Sequence, residues 1–201
     1  QLTVVAFTGT DAEFRCGTAA TSQTEDQQVT VSTGGSKTPQ AMILVGAERG
    51  TDWTAGTSAV NGAGLAMGYS TYDTVNIRQC GMGVQWPDNQ SRGQTALYVS
   101  ETRAVPMATH GSLASGAVDM ERPPYEVTGM GASSFGVTTR EASELSGVGL
   151  TLGYLTIYCG SPALRAYAQV WDVPSGSGTK TYNLPASEAD FTPAFLLWGM
   201  T

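Results

Sequence analysis

The sequence predicts an all-β fold, an antiparallel and jelly-roll-like β-sandwich. Only 13% of its 201 residues are charged, which is too few to supply the polar faces of amphipathic helices. Glycine occurs 25 times, and Thr and Ser dominate the polar residues, a balance typical of strands joined by tight turns. Short apolar segments recur along the chain without helical periods between them, as in sandwiches and barrels. With 41% hydrophobic residues, the chain can bury a core as one or two domains.

In the first half of the chain, apolar segments bounded by Gly, Pro or polar clusters predict seven strands. In residues 28–32 (QVTVS), valines alternate with polar residues. Residues 41–45 (AMILV) are apolar throughout and lie between Pro39 and Gly46. The seven predicted strands are 2–7, 12–16, 28–32, 41–45, 64–69, 76–84 and 96–100.

The second half of the chain contains five further candidate strands by the same criterion. They are 127–130, 149–159 (one strand or two pairing segments), 166–173, 180–184 and 194–198. A short helix is predicted over 138–145.

The end of the chain repeats its beginning, which predicts a second copy of one module. Residues 2–5 (LTVV) are echoed by 155–158 (LTIY), 12–14 (AEF) by 168–170 (AQV), and 38–46 (TPQAMILVG) by 192–199 (TPAFLLWG). The matches keep their order at offsets of 153, 156 and 154 residues, and repeats of this kind usually indicate an array. Chance similarity between generic strands is the alternative.

This repeat divides the chain into two expected parts. Residues 1–154 are expected to form a β-sandwich module. Residues 155–201 are either the opening strands of a second copy or strands that complete the same sandwich. We also expect the chain to be part of a longer polypeptide.

A second echo lies within the first module. Residues 62–69 (GAGLAMGY) resemble 147–154 (GVGLTLGY) at an offset of 85. The pairs in the same register are Pro39 with Pro124, Gly46 with Gly131 and Trp86 with Trp171. Either an old duplication of a half-domain or independent strand chemistry explains this similarity.

The charge of the chain argues against two classes of partner. Its formal net charge is −7, with a pI near 4.5, and no Lys/Arg cluster is interleaved with aromatic residues. Such a field repels phosphate backbones and anionic lipids, so we expect neither nucleic acid nor membrane as a partner. No apolar run approaches the roughly 20 residues of a spanning helix.

Three cysteines, Cys16, Cys80 and Cys159, lie far apart in or beside predicted strands. They have no metal-site spacing, and we expect free thiols next to strands. One disulfide plus one free thiol is the alternative, and it would imply an oxidising compartment.

The chemistry-bearing residues do not assemble into a recognisable catalytic or cofactor motif. The only histidine, His110, has no GxSxG nucleophile motif with it, and no phosphate-binding glycine loop or calcium loop occurs. A pair of carboxylates could serve glycoside hydrolysis, but nothing selects a pair. The candidates are Glu13, Asp73, Glu101, Asp119, Glu121 and Glu126. We therefore expect a non-enzyme without cofactor or metal.

Two tryptophans are candidate contact residues for a ligand or partner. Trp53 and Trp86 lie in turn-rich sequence, where aromatic side chains can pack on a protein or a sugar ring. Covering the end of their own sandwich is the alternative role. Trp171 and Trp198 lie in apolar runs and are expected in the core.

The sequence resembles the repeated β-sandwich modules found in structural proteins of tailed bacteriophages, particularly fibres and related appendages. The resemblance rests on residues 38–46 and 191–199, which look like the F-x-P-x-A strand of those modules, and on 64–69 and 146–158, which look like two later strands. It implies a non-enzymatic virion protein whose partners are copies of itself or other virion proteins, with a host glycan as a further option. Head decoration, tail fibre and receptor-binding spike all remain open.

Two other classes of protein fit the same sequence. One is a secreted or surface-displayed carbohydrate-binding module that uses Trp53 and Trp86 as a sugar platform. The other is a subunit of a bacterial surface filament, which would show helical instead of closed symmetry. A virion or filament subunit should form multimers with large interfaces, whereas a sugar-binding module should be monomeric.

Overall fold

The structure, a computed structural model, describes residues 11–22, 24–47, 62–87, 96–105, 125–140, 151–160, 166–170, 176–177, 179 and 181. Within these ranges the chain forms strands and no helix, and the predicted all-β sandwich of antiparallel sheets is confirmed. The strands are β1 (Ala12–Ala20), β2 (Gln28–Ser32), β3 (Ala41–Ala47), β4 (Gly62–Tyr72), β5 (Ile77–Pro87), β6 (Ala96–Ser100), β7 (Tyr125–Met130), β8 (Ser134–Thr139) and β9 (Thr151–Cys159).

The larger sheet has six strands in the order β1-β9-β3-β4-β5-β6, and each neighbouring pair is antiparallel. β9 lies between β1 and β3, so that Leu155 is opposite Cys16 on one side and Ile43 on the other. β4 and β5 form a hairpin of two eleven-residue strands. Its turn is held by Asp73, whose Oδ1 accepts hydrogen bonds from the backbone N–H of Val75 (3.0 Å) and Asn76 (2.6 Å).

The smaller sheet has three strands in the order β2-β8-β7. β8 is a strand that the sequence does not predict, and the helix predicted over 138–145 is wrong at its start. Thr138 and Thr139 are the last two residues of β8, where they are buried and pair with neighbouring strands. β-Branched side chains fit a packed strand better than the first turn of a helix. Residues 141–145 lie outside the described ranges.

The core fills the space between the two sheets. Its buried residues are Val31, Met42, Leu44, Ala66, Ala104, Val105, Tyr125, Val127, Phe135, Val137 and Leu152. Phe135 of β8 packs edge-on against Tyr154 of β9, with 5.1 Å between ring centroids. Gln79 of β5 also joins the sheets, since its side chain accepts a hydrogen bond from Val127 N (2.9 Å) and donates one to Val127 O (3.4 Å).

The segment after β6 crosses the inner face of the larger sheet and determines which side chains fit there. Ala104 and Val105 are fully buried, and Val105 pairs with Tyr125 at the start of β7. A Cβ atom built on Gly68 would overlap the carbonyl oxygen of Ala104. Glycine at this position of β4 therefore permits the close approach of the crossing backbone.

The predicted strand over 166–173 is wrong in its described part, because residues 166–170 belong to no strand. Tyr167 instead lies against Arg78 of β5, with the guanidinium carbon 5.1 Å from the ring centroid. The alternating apolar pattern misled the prediction, because an extended segment that packs on a sheet also has one covered side and one exposed side. Residues 149–159, by contrast, form one strand from Thr151 onwards.

The predicted repeat remains a prediction. Residues 2–7 and 194–198 lie outside the described ranges, as does nearly all of 180–184. Residues 155–158 belong to β9, which contains the predicted module boundary and pairs with both β1 and β3.

Candidate assembly surface

The two sides of β4 show an unusual distribution of side-chain size. Ala66, Gly68 and Ser70 face the core and are buried, whereas Leu65 and Met67 point away from it and are 45% and 38% exposed. At Gly68 the crossing segment leaves no room for a side chain, because a Cβ atom there would overlap the carbonyl oxygen of Ala104. The large apolar side chains of β4 consequently lie on the opposite side of the sheet.

The other strands of the larger sheet continue this apolar side, which we call the outer face. Residues directly opposite each other in an antiparallel pair point to the same side of a sheet, so the observed registers assign its members. The outer face comprises Phe14, Cys16 and Thr18 of β1, Leu155, Ile157 and Cys159 of β9, Ala41, Ile43 and Val45 of β3, Leu65, Met67, Tyr69 and Thr71 of β4, Arg78, Cys80, Met82 and Val84 of β5, and Val99 of β6.

One row of the outer face illustrates its exposure. Val45, Met67, Met82 and Val99 lie opposite one another on four successive strands. Val45 is 36% exposed and Val99 is 42% exposed. Met82 between them is half-buried. Single exposed apolar residues are common on protein surfaces, but several along one row of a sheet indicate an interaction site.

The outer face is almost free of charge. Arg78 is its one charged member among the described residues, and it lies near one end, where Tyr167 covers it. Cys80, close by on the same strand, is buried, and this burial raises the pKa of its thiol to about 11. The segment at 166–170 therefore covers the Arg78 end, while the row from Val45 to Val99 stays open.

The cysteines share this surface. Cys16, Cys80 and Cys159 are free thiols in β1, β5 and β9, and all three belong to the outer face. Cys16 is exposed, Cys80 is buried and Cys159 is intermediate. They lie in strands, as predicted, and they differ in how much of each side chain is covered.

The carboxylates considered for hydrolysis have structural contacts. Glu13 accepts hydrogen bonds from Ser36 N (2.9 Å) and Ser36 Oγ (2.8 Å), and these bonds hold its pKa below the ordinary value of 4.5. The backbone N–H groups of Asn76 and Val75 likewise lower the pKa of Asp73.

On the smaller sheet, Glu126 Oε2 is shared by two arginines. Arg103 contacts it at 3.0 Å, and Arg140 donates to it through Nε. Arg140 also contacts Asp26 Oδ1 at 2.9 Å. Arg140 thus joins the carboxylates of Glu126 and Asp26 by ion pairs. Glu101 is exposed after β6, and Asp119 and Glu121 lie outside the described ranges.

The predicted contact residues are only partly placed. Trp53 lies outside the described ranges, as does His110. Trp86 belongs to β5, opposite Ala63, because the strand continues further than the turn-rich sequence indicates. Its ligand role remains a prediction, as does the absence of catalysis.

Among the described residues, no three His, Cys, Asp or Glu side chains come together as a metal site, and no helix is long and apolar enough to cross a membrane.

The outer face has a signal in the sequence that alternation alone does not detect. β3 (AMILVGA) and β9 (TLGYLTIYC) carry apolar residues on both sides, with Met42 and Leu44 in the core and Ile43 and Val45 outside. Continuous apolar strands are typical of sheets that are covered on both faces. This pattern predicts a cover for the outer face but not what forms it.

Comparisons with known proteins give no family. No family model matches the sequence, and a search of curated proteins finds no match.

Proposed function

We propose that the chain is a non-enzymatic structural protein of a tailed-bacteriophage virion, a fibre, decoration or appendage subunit that assembles through β-sandwich packing. The observation that carries the proposal is the apolar, nearly uncharged outer face of the six-stranded sheet. The resemblance of the sequence to repeated phage modules is the reason for proposing a phage virion. The outer face gives a physical reason why the protein would assemble.

The composition of the outer face favours protein packing over sugar binding. A sugar platform presents aromatic rings, whereas most of the outer face consists of aliphatic, Met and Cys side chains. Burial of such side chains stabilises a complex by about 25 cal/mol for each Å² removed from water. An interaction whose strength depends on the buried apolar area suits a virion subunit that packs against neighbouring subunits.

Two experiments test this function. Mass spectrometry of purified particles, produced from the genome that encodes the chain, should find the protein as a component present in many copies. Light scattering coupled to size-exclusion chromatography should find the isolated chain in multimers. Absence from the particles would contradict the virion assignment, and tight binding of one glycan by a monomer would favour the carbohydrate-binding class.

A further inference from the structure

We propose that the outer face is covered by the same face of a second copy of this chain, related by a two-fold axis. This inference rests on the proposed function and makes it specific, since it names the surface and the partner. It predicts a dimeric building block in which two six-stranded sheets stack face to face.

The exposed side chains identify the part of the outer face that a partner must cover. Leu65 is 45%, Val99 is 42% and Met67 is 38% exposed. Among the described residues, Tyr167 lies over the opposite end of the outer face, at Arg78. A second copy that packs on the open row would exclude water from these side chains.

The dimensions of the outer face suit such a contact. Six strands spaced about 4.8 Å apart make the sheet about 24 Å wide, and the four outward side chains of β4 and of β5 extend about 20 Å along those strands. Two copies would therefore bury at most about 1,000 Å² in total, because Tyr167 already covers the Arg78 end, and this area is the lower limit for a specific interface. Stacked sheets pack about 10 Å apart, so side chains as large as Leu and Met can interdigitate between them.

The distribution of charge favours a copy of the same chain as the partner. A two-fold axis brings the same surface of both copies together, so a surface with charges of one sign repels itself. The outer face avoids this repulsion, because Arg78 is its one charged described residue and lies away from the open row. The chain as a whole carries a net charge of −7, so other surfaces of two copies meet with greater repulsion.

The test compares two apolar-to-Glu variants by sedimentation velocity over a hundredfold range of concentration. Met67→Glu places a charge on the open row, and Val75→Glu places one on the β4–β5 turn, where Val75 is 79% exposed and away from the outer face. We expect Met67→Glu to weaken self-association at least about tenfold and Val75→Glu to leave it unchanged. Met67→Thr, which keeps a strand-forming side chain, should weaken association if Met67→Glu does not fold.

Cys16 provides a second measurement in the unmodified protein. It is exposed and belongs to the outer face, so its alkylation rate should fall as the protein concentration rises and dimers form. In Met67→Glu the rate should be independent of concentration.

The outcomes separate this inference from the proposed function. A multimer that Met67→Glu and Met67→Thr leave intact, with Cys16 equally reactive at all concentrations, overturns the outer face as the interface. A monomeric wild type that is nevertheless found in purified particles overturns the second copy as the occupant and points to another virion protein. Absence from the particles contradicts the proposed function itself.

Discussion

At the scale of single residues, the different burial of two cysteines on the outer face predicts different thiol reactivities. Cys16 is exposed, whereas Cys80 is buried and has a pKa raised to about 11. At pH 8 only about 0.1% of a thiol with that pKa is the reactive thiolate. In dilute folded protein, iodoacetamide should therefore modify Cys80 at least about 100-fold more slowly than Cys16, as measured by mass spectrometry. Equal rates in the folded protein would contradict this, and unfolding in urea should remove the difference.

Glu13 gives the protein a specific sensitivity to acid. Its hydrogen bonds to Ser36 stabilise the ionised carboxylate and hold its pKa below 4.5. A lowered pKa contributes stability that is present above the unfolded value and is lost as the pH falls through the folded value. Glu13→Gln should therefore be less stable than wild type at pH 7, and this difference should shrink below about pH 4.5.

Urea unfolding at several pH values measures this effect. Glu25→Gln, at an exposed position in the turn before β2, is the matched control and should change the free energy of unfolding at pH 7 by less than about 0.5 kcal/mol. A constant difference between wild type and Glu13→Gln from pH 7 to pH 3 would show that the Ser36 contacts do not favour the charged form.

At the scale of secondary-structure elements, the crossing of β4 by the segment at Ala104 determines the arrangement of the larger sheet. Because a Cβ on Gly68 would overlap the Ala104 carbonyl oxygen, Gly68→Ala should destabilise the fold by about 3 kcal/mol or more, at the upper end of overpacking effects. Gly129→Ala in β7 is the control, since a Cβ there meets nothing within 4 Å. That variant should be neutral or stabilise by up to about 1 kcal/mol.

Chemical unfolding of the two glycine variants is the measurement. Similar stabilities for Gly68→Ala and Gly129→Ala would mean that the 101–105 segment does not pack on β4 as described. The same result would remove the reason why large side chains of β4 face outward.

At the scale of the whole molecule, the proposed dimer has a characteristic response to salt. The net charge of −7 opposes association, whereas the one charged described residue of the outer face, Arg78, already pairs with Asp73 of the same chain at 3.3 Å. Raising the salt concentration to about 1 M reduces the Debye length to about 3 Å and screens the repulsion. Self-association measured by sedimentation should therefore strengthen or stay unchanged. Dissociation at high salt would indicate an interface of ion pairs instead of the outer face.

The sequence by itself determined the fold class and the position of most described strands. The low charge and the short apolar segments predict an all-β sandwich, and β2 and β6 have the predicted bounds. These features can be predicted because alternation and turn residues are local properties of the chain. β8 was missed because Ser134–Thr139 includes Gly136 and ends in threonines that lack apolar alternation.

Only the tertiary structure decided how the strands pair and which side of each faces the core. β9 pairs with β1, more than 130 residues earlier, and no local pattern specifies that neighbour. In β4, apolar residues occupy both sides, so alternation alone cannot tell Leu65 and Met67 from Ala66 as the inward set. The backbone at Ala104 distinguishes the two sides, because it leaves no space for a side chain at Gly68. Ala66, on the same side as Gly68, is therefore buried, and Leu65 and Met67 lie on the outer face.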